Sequence, residues 1–164
     1  MEFRIEIENF ETSKYSIKTI EYIKGVLHTY AHVNQPNTNL SYVYDIVEFE
    51  KSENIAETLK GRFYIFKNQE IELNEISNDN FLGILRDWFY GFEISKLIAE
   101  YRQGPEVKFF LELLKDILKI DEIFMIENLQ HENEETYLEL GVYFDYFVLK
   151  STEKNYILYF KYCD

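Results

Sequence analysis

The chain has a single cysteine, Cys163, and so no internal disulfide. Two prolines and six glycines in 164 residues leave little room for long flexible linkers. No stretch approaches the ~20 apolar residues that a membrane span needs. The start, Met1–Glu8, is not the basic start followed by an apolar run that a signal peptide needs. These absences favour a reducing cytoplasm and no membrane association. No glycine sits in a GxGxxG or Walker-type loop, and no serine sits in a GxSxG elbow. Nucleotide chemistry through those devices is therefore not expected. Positive charge is scarce: 17 Lys and Arg stand against 30 Asp and Glu, a net charge of −13. Such a surface repels phosphates, which argues against direct binding to DNA, RNA or anionic lipid.

Aromatic residues are abundant, with 14 Phe and 14 Tyr. A strongly acidic chain poor in aromatics reads as disordered. This one can bury a core and keep a negative field outside it. Its length suits one globular domain over 1–164, burying roughly two-thirds of its unfolded surface. An acidic surface bearing tyrosines suits electrostatic capture of a basic partner.

Hydrophobic periodicity gives the element order. Phe3, Ile5 and Ile7 alternate with charged residues, which predicts a strand over 2–8. Ile17, Ile20, Ile23, Leu27 and Tyr30 step by three and four, the stripe of a helix from 13 to 33. A loop follows at 34–39, then a strand at 40–50 and a short helix at 52–59. Segments 62–66 and 70–74 read as a hairpin around Asn68-Gln69, although its turn has no glycine. Asp79 is placed to cap a helix from Asn80 with Phe81, Leu85, Trp88 and Phe92 on one face. A second stripe, Ile94, Leu97, Ile98 and Tyr101, continues on a shifted face. Gly104-Pro105-Glu106 then reads as the end of that helix and the start of another. The new helix carries Val107, Phe110, Leu111, Leu114 and Leu118. A short strand spans 123–126, and one long strand runs from Leu138 to Val148. Residues 156–162 return as its hairpin partner, with Lys154 and Lys161 set against edge pairing. The order predicts an α+β fold: a mainly antiparallel sheet of about six strands packed against three to four helices.

Candidate chemistry is sparse. His28 and His32 share one helix face at a spacing that zinc accepts, but Thr29 stands where a zincin has Glu. They read as ordinary surface histidines, and no metal or cofactor is assigned. Cys163 lies at the end of the chain without the setting of a nucleophile. Carboxylate pairs such as Glu6/Glu8 and Glu70/Glu72 read as solvated strand faces, and no catalytic residue is assigned. Two features favour recognition instead. One is the acidic segment 127–139, with Glu132, Glu134, Glu135 and Glu139. The other is the aromatic hairpin, whose outward face presents Tyr143, Asp145 and Tyr159 or Tyr156 if it is not covered. The competing reading is a sheet buried on both faces.

The run from Glu132 to Glu139 and the closing YFVLKSTEKNYILYFKY, with the small acidic Tyr/Phe-rich domain around them, resemble bacterial immunity proteins in general character. That resemblance implies a tight one-to-one inhibitory complex with a basic toxin domain, often a nuclease. Two alternatives remain open. One is a phage-type nucleic-acid mimic, with carboxylates along an extended face. The other is an enzyme or ligand-binding domain whose aromatic-lined pocket uses Trp88, Phe89, Tyr90, Phe92 and Tyr101.

Overall fold

A computed structural model describes residues 19–35, 41–92, 95–131 and 133–163. The strand expected at 2–8 and most of the loop at 34–39 lie outside them. Helix α1 spans Ile20–Val33 and is followed by strand β1, Ser41–Phe49. Helix α2, Ile55–Arg62, leads through a 3₁₀ turn at Tyr64–Phe66 to strand β2, Glu72–Glu75. Helix α3 is Asn78–Tyr90 and helix α4 is Glu100–Leu118, with a 3₁₀ turn at Ser95–Leu97 between them. Strand β3 (Ile120–Glu127), helix α5 (Glu134–Leu140) and strands β4 (Tyr143–Ser151) and β5 (Asn155–Cys163) complete the order. The five strands form one sheet in the order β1-β5-β4-β3-β2. Every neighbouring pair is antiparallel. The fold class is α+β.

Strand alternation sends two sets of side chains to opposite faces, and both are covered. Helices α1, α3 and α4 pack on one face, where Leu27, Tyr44, Leu85, Phe89, Phe147 and Phe160 are buried together. On the other face Leu59 of α2, Phe66 of the 3₁₀ turn and Leu140 of α5 meet Tyr146, Val148 and Ile157. The competing reading of the aromatic hairpin, burial on both sides, therefore holds for most of its length.

Several expectations are corrected. The 62–66/70–74 hairpin does not form. Segment 62–66 instead closes α2 and makes a single 3₁₀ turn, while Glu72–Glu75 pairs with β3. A tight turn at Asn68-Gln69 would need backbone that glycine supplies. Gln69 has a different task. Its amide donates to Gln130 O (3.0 Å) and accepts from Gln130 N (2.8 Å), as a strand peptide would. The long strand from Leu138 is also corrected, because 134–140 is helical. Gly141 turns the chain into β4 at φ +97, and a Cβ there would lie 2.9 Å from Tyr162 O. The Gly104-Pro105 break is absent. Helix α4 runs through Pro105, and the Tyr101 carbonyl that proline cannot satisfy lies in the exposed first turn, within reach of water. The stripe through Leu97 and Tyr101 does not form, since both are exposed. Ser77, not Asp79, caps α3 by accepting from Asn80 N at 3.2 Å. Lys154 and Lys161 guard no edge, because β5 lies inside the sheet. Lys154 pairs with Glu48 at 2.9 Å, and Lys161 donates to Glu139 O at 2.7 Å.

The edge strand β2 sets Glu72 directly opposite Glu127. Like charges so placed are destabilising. Asn128 donates to Glu72 at 2.7 Å and Asn74 to Glu127 at 3.3 Å, which partly offsets the repulsion. Glu72→Lys is expected to raise stability by about 0.5 kcal/mol. Thermal melts should show a gain of about 1–2 °C at low salt, and high salt should shrink it.

Candidate functional site

The register of the β4–β5 hairpin decides what the candidate residues can do together. Asp145 pairs with Phe160 and Tyr146 with Tyr159. Tyr143 and Asp145 therefore point to the α3 side of the sheet, and Tyr159 points to the α5 side. There Tyr159 stacks on Tyr146, with centroids 5.4 Å apart and planes at 21°. Tyr156 shares the face of Tyr143 but is buried. Glu132 lies outside the described residues. Glu134 and Glu135 are exposed in the first turn of α5. Glu139, in its last turn, joins Tyr159, Lys161, Phe63 and Val47 around a mostly apolar pocket of about 300 Å³. The six of these residues that the structure describes thus fall on two faces of the molecule.

On the α3 side, Tyr143 and Asp145 meet residues from a distant part of the chain. Trp88 Nε1 donates to Asp145 Oδ2 at 2.7 Å. The Tyr143 ring, 62% exposed as a residue, lies over Trp88 at 5.3 Å between centroids and 31° between planes. Phe92 closes one side, 6.1 Å from Trp88. Ile84 and Met125 add apolar lining, and Asp87 stands on the α3 wall. The cleft holds about 430 Å³.

Its electrostatics are one-sided. Burial raises the Asp145 carboxyl pKa above the ordinary value, the Trp88 bond opposes this, and Asp87 raises it further. Asp145 is the main cause of a raised Tyr143 phenol, followed by burial and Asp87. Among the described residues no Lys or Arg forms an ion pair with either aspartate. Gly91 borders the cleft, and any side chain there would strike the Asp87 carbonyl. Aromatic faces beside uncompensated carboxylates suit a cation.

Other polar clusters serve the fold. Tyr90 donates to Glu106, and its hydroxyl also lies 2.8 Å from that of Tyr30. Arg102 reaches the second Glu106 oxygen at 3.2 Å. This network joins α1, α3 and α4, and burial raises both phenols. His28 lies 3.5 Å from Asp45, and His131 lies 2.7 Å from Gly141 O. Among the described residues no group of three His, Cys, Asp or Glu is placed to hold a metal. Cys163 is half-buried at the end of β5. Of the aromatic residues weighed as pocket lining, Trp88 and Phe92 line the cleft, Phe89 and Tyr90 are core, and Tyr101 is exposed on α4.

Sequence reasoning did not single out Asp87. Its neighbour Trp88 carried a helix-stripe signal, but no local pattern shows that α3 crosses β4. The fold and the cleft together define an α+β protein with a five-stranded antiparallel sheet and an acidic, aromatic cleft on one face. No family model, curated protein or solved structure matches the chain. No described helix is long and apolar enough to cross a membrane.

Proposed function

We propose that this chain is an acidic binding protein that inhibits a basic protein partner, in the manner of immunity proteins that neutralise toxins. The observation that carries the reading is surplus charge on a well-packed body. The net charge is −13, yet the ion pairs among the described residues engage only Lys60, Arg86, Arg102, Lys150, Lys154 and His28. Glu53, Glu75, Glu134 and Glu135 are exposed outside those pairs. Such a surface steers a cationic partner and can bring association to ~10⁸ M⁻¹s⁻¹ at low salt. A nuclease is a fitting target, because a site that holds phosphates is itself positive.

The test uses the protein encoded beside this chain in its genome. Mixing the two should give a one-to-one complex and abolish the neighbour's toxicity. Reversing Glu132, Glu134 and Glu135 to Lys should slow association about tenfold at low salt and flatten its salt dependence. A neighbour that is neither basic nor bound defeats the proposal. Unchanged association after the triple reversal moves the contact away from α5.

A further inference from the structure

We propose that the cleft between α3 and β4 receives one arginine side chain of the partner, held over Tyr143 between Asp87 and Asp145. The assignment rests on the reading above, that the partner is a basic protein. Three features of the cleft lead to it.

The first is charge without a counterion. Asp145 is half-buried, and one of its oxygens is already taken by Trp88 Nε1 at 2.7 Å. The carboxylate has thus lost hydration without gaining a cation among the described residues. An arriving cation supplies what burial has removed.

The second is the aromatic wall. Tyr143 is 62% exposed although its ring packs at a tilt against Trp88. Its free face is a platform that a flat, weakly hydrated cation can cover. Guanidinium fits this better than ammonium. It stacks on aromatic rings, and its fork of donors can serve two carboxylates from one plane. A compact ammonium keeps its hydration more tightly and has no plane to stack.

The third is the apolar lining. Ile84 and Met125 border the cleft and can accept the methylene stem, which long cationic side chains bury while the head stays polar. A hard divalent metal is a poor fit. It asks for about six oxygens, and the described residues offer no cluster of three candidate ligands.

Trp88 is the only tryptophan of the chain, so its fluorescence reports on this cleft alone. The whole chain is titrated with N-acetyl-L-arginine amide. A saturable change with half-saturation at about 1–10 mM is expected, the range of a single small-group contact. The matching lysine amide should bind about fivefold more weakly. Tyr143→Ala and Asp87→Asn lie at exposed positions, and each should weaken the arginine probe about threefold to tenfold. Circular dichroism melts confirm that both variants are folded. A response that is linear in probe, or equal in both variants and the parent, overturns the assignment. So does capture of the basic partner by both variants at the parent's affinity, an outcome that leaves the proposed function standing. A saturable, variant-sensitive probe signal with no complex does the opposite: the guanidinium site holds, and the inhibitory reading falls.

Discussion

Phe89→Ala is expected to cost about 3–5 kcal/mol of stability. Phe89 is fully buried in the core on the α3 side. It stacks on Tyr30 of α1 at 3.9 Å and 6°. It meets Phe110 of α4 edge-on at 5.2 Å and Phe160 of β5 at 6.0 Å. One ring thus joins three helices to the sheet. Removing it forfeits its transfer from water and leaves a hole whose rigid aromatic walls cannot collapse. For a domain of this length the loss corresponds to a fall of about 10 °C in melting temperature. Phe109→Ala, at an exposed position of the next helix, should stay within about 0.5 kcal/mol of the parent. Chemical denaturation of the two variants checks both numbers. A Phe89 variant as stable as the Phe109 variant would mean that α1, α3 and α4 do not meet as described.

The second large effect is polar. Asn34 is only 4% exposed and lies just past the end of α1. Its Nδ2 donates to Trp88 O at 3.1 Å and Phe89 O at 3.2 Å, in the last turn of α3. The Tyr44 hydroxyl also donates to Trp88 O, at 2.7 Å. These carbonyls have no partner within their own helix, so a neighbouring helix supplies the donors. Asn34 Oδ1 has no partner among the described residues. The amide is therefore there for its N–H groups. Asn34→Asp replaces the donor by an acceptor at the negative end of the α3 dipole. The expected cost at neutral pH is about 3–5 kcal/mol, the range for an unpaired buried charge. The pH dependence has a definite sign. The folded state disfavours ionisation there, so the introduced carboxyl has a higher pKa folded than unfolded. The penalty is complete above the folded pKa and shrinks as pH falls through it, because the protonated acid can again donate to a carbonyl. Urea unfolding of variant and parent at pH 7 and pH 4.5 should show the difference narrowing on the acid side. A difference independent of pH would show that charge is not its cause.

Elements with a strong period were legible in the sequence. Val107, Phe110, Leu111, Leu114 and Leu118 form the buried stripe of α4, and Ile23 and Leu27 that of α1. The β4–β5 hairpin was legible too, because its alternation is long. What could not be read depended on single backbone positions or on contacts far apart in the chain. Leu138 and Leu140 sit in step with the alternation of β4, and only the positive φ of Gly141 separates α5 from that strand. The face of Tyr159 depended on a pairing register that the polar turn at 151–154 sets. Trp88 and Asp145 are 57 positions apart and meet only because α3 lies across β4. The cleft is a product of that crossing, so its members carry no shared local signal.

The short acidic margin at β2 also bears on how copies of this molecule behave toward each other. A second chain arriving to extend the sheet would bring Glu72 and Glu75 toward an identical row of carboxylates, over only four residues of possible ladder. Self-association by strand addition is therefore discouraged on that flank even when the protein is concentrated. Glu72→Lys, which relieves strain within one molecule, would weaken this barrier, and a variant that melts later could also aggregate sooner.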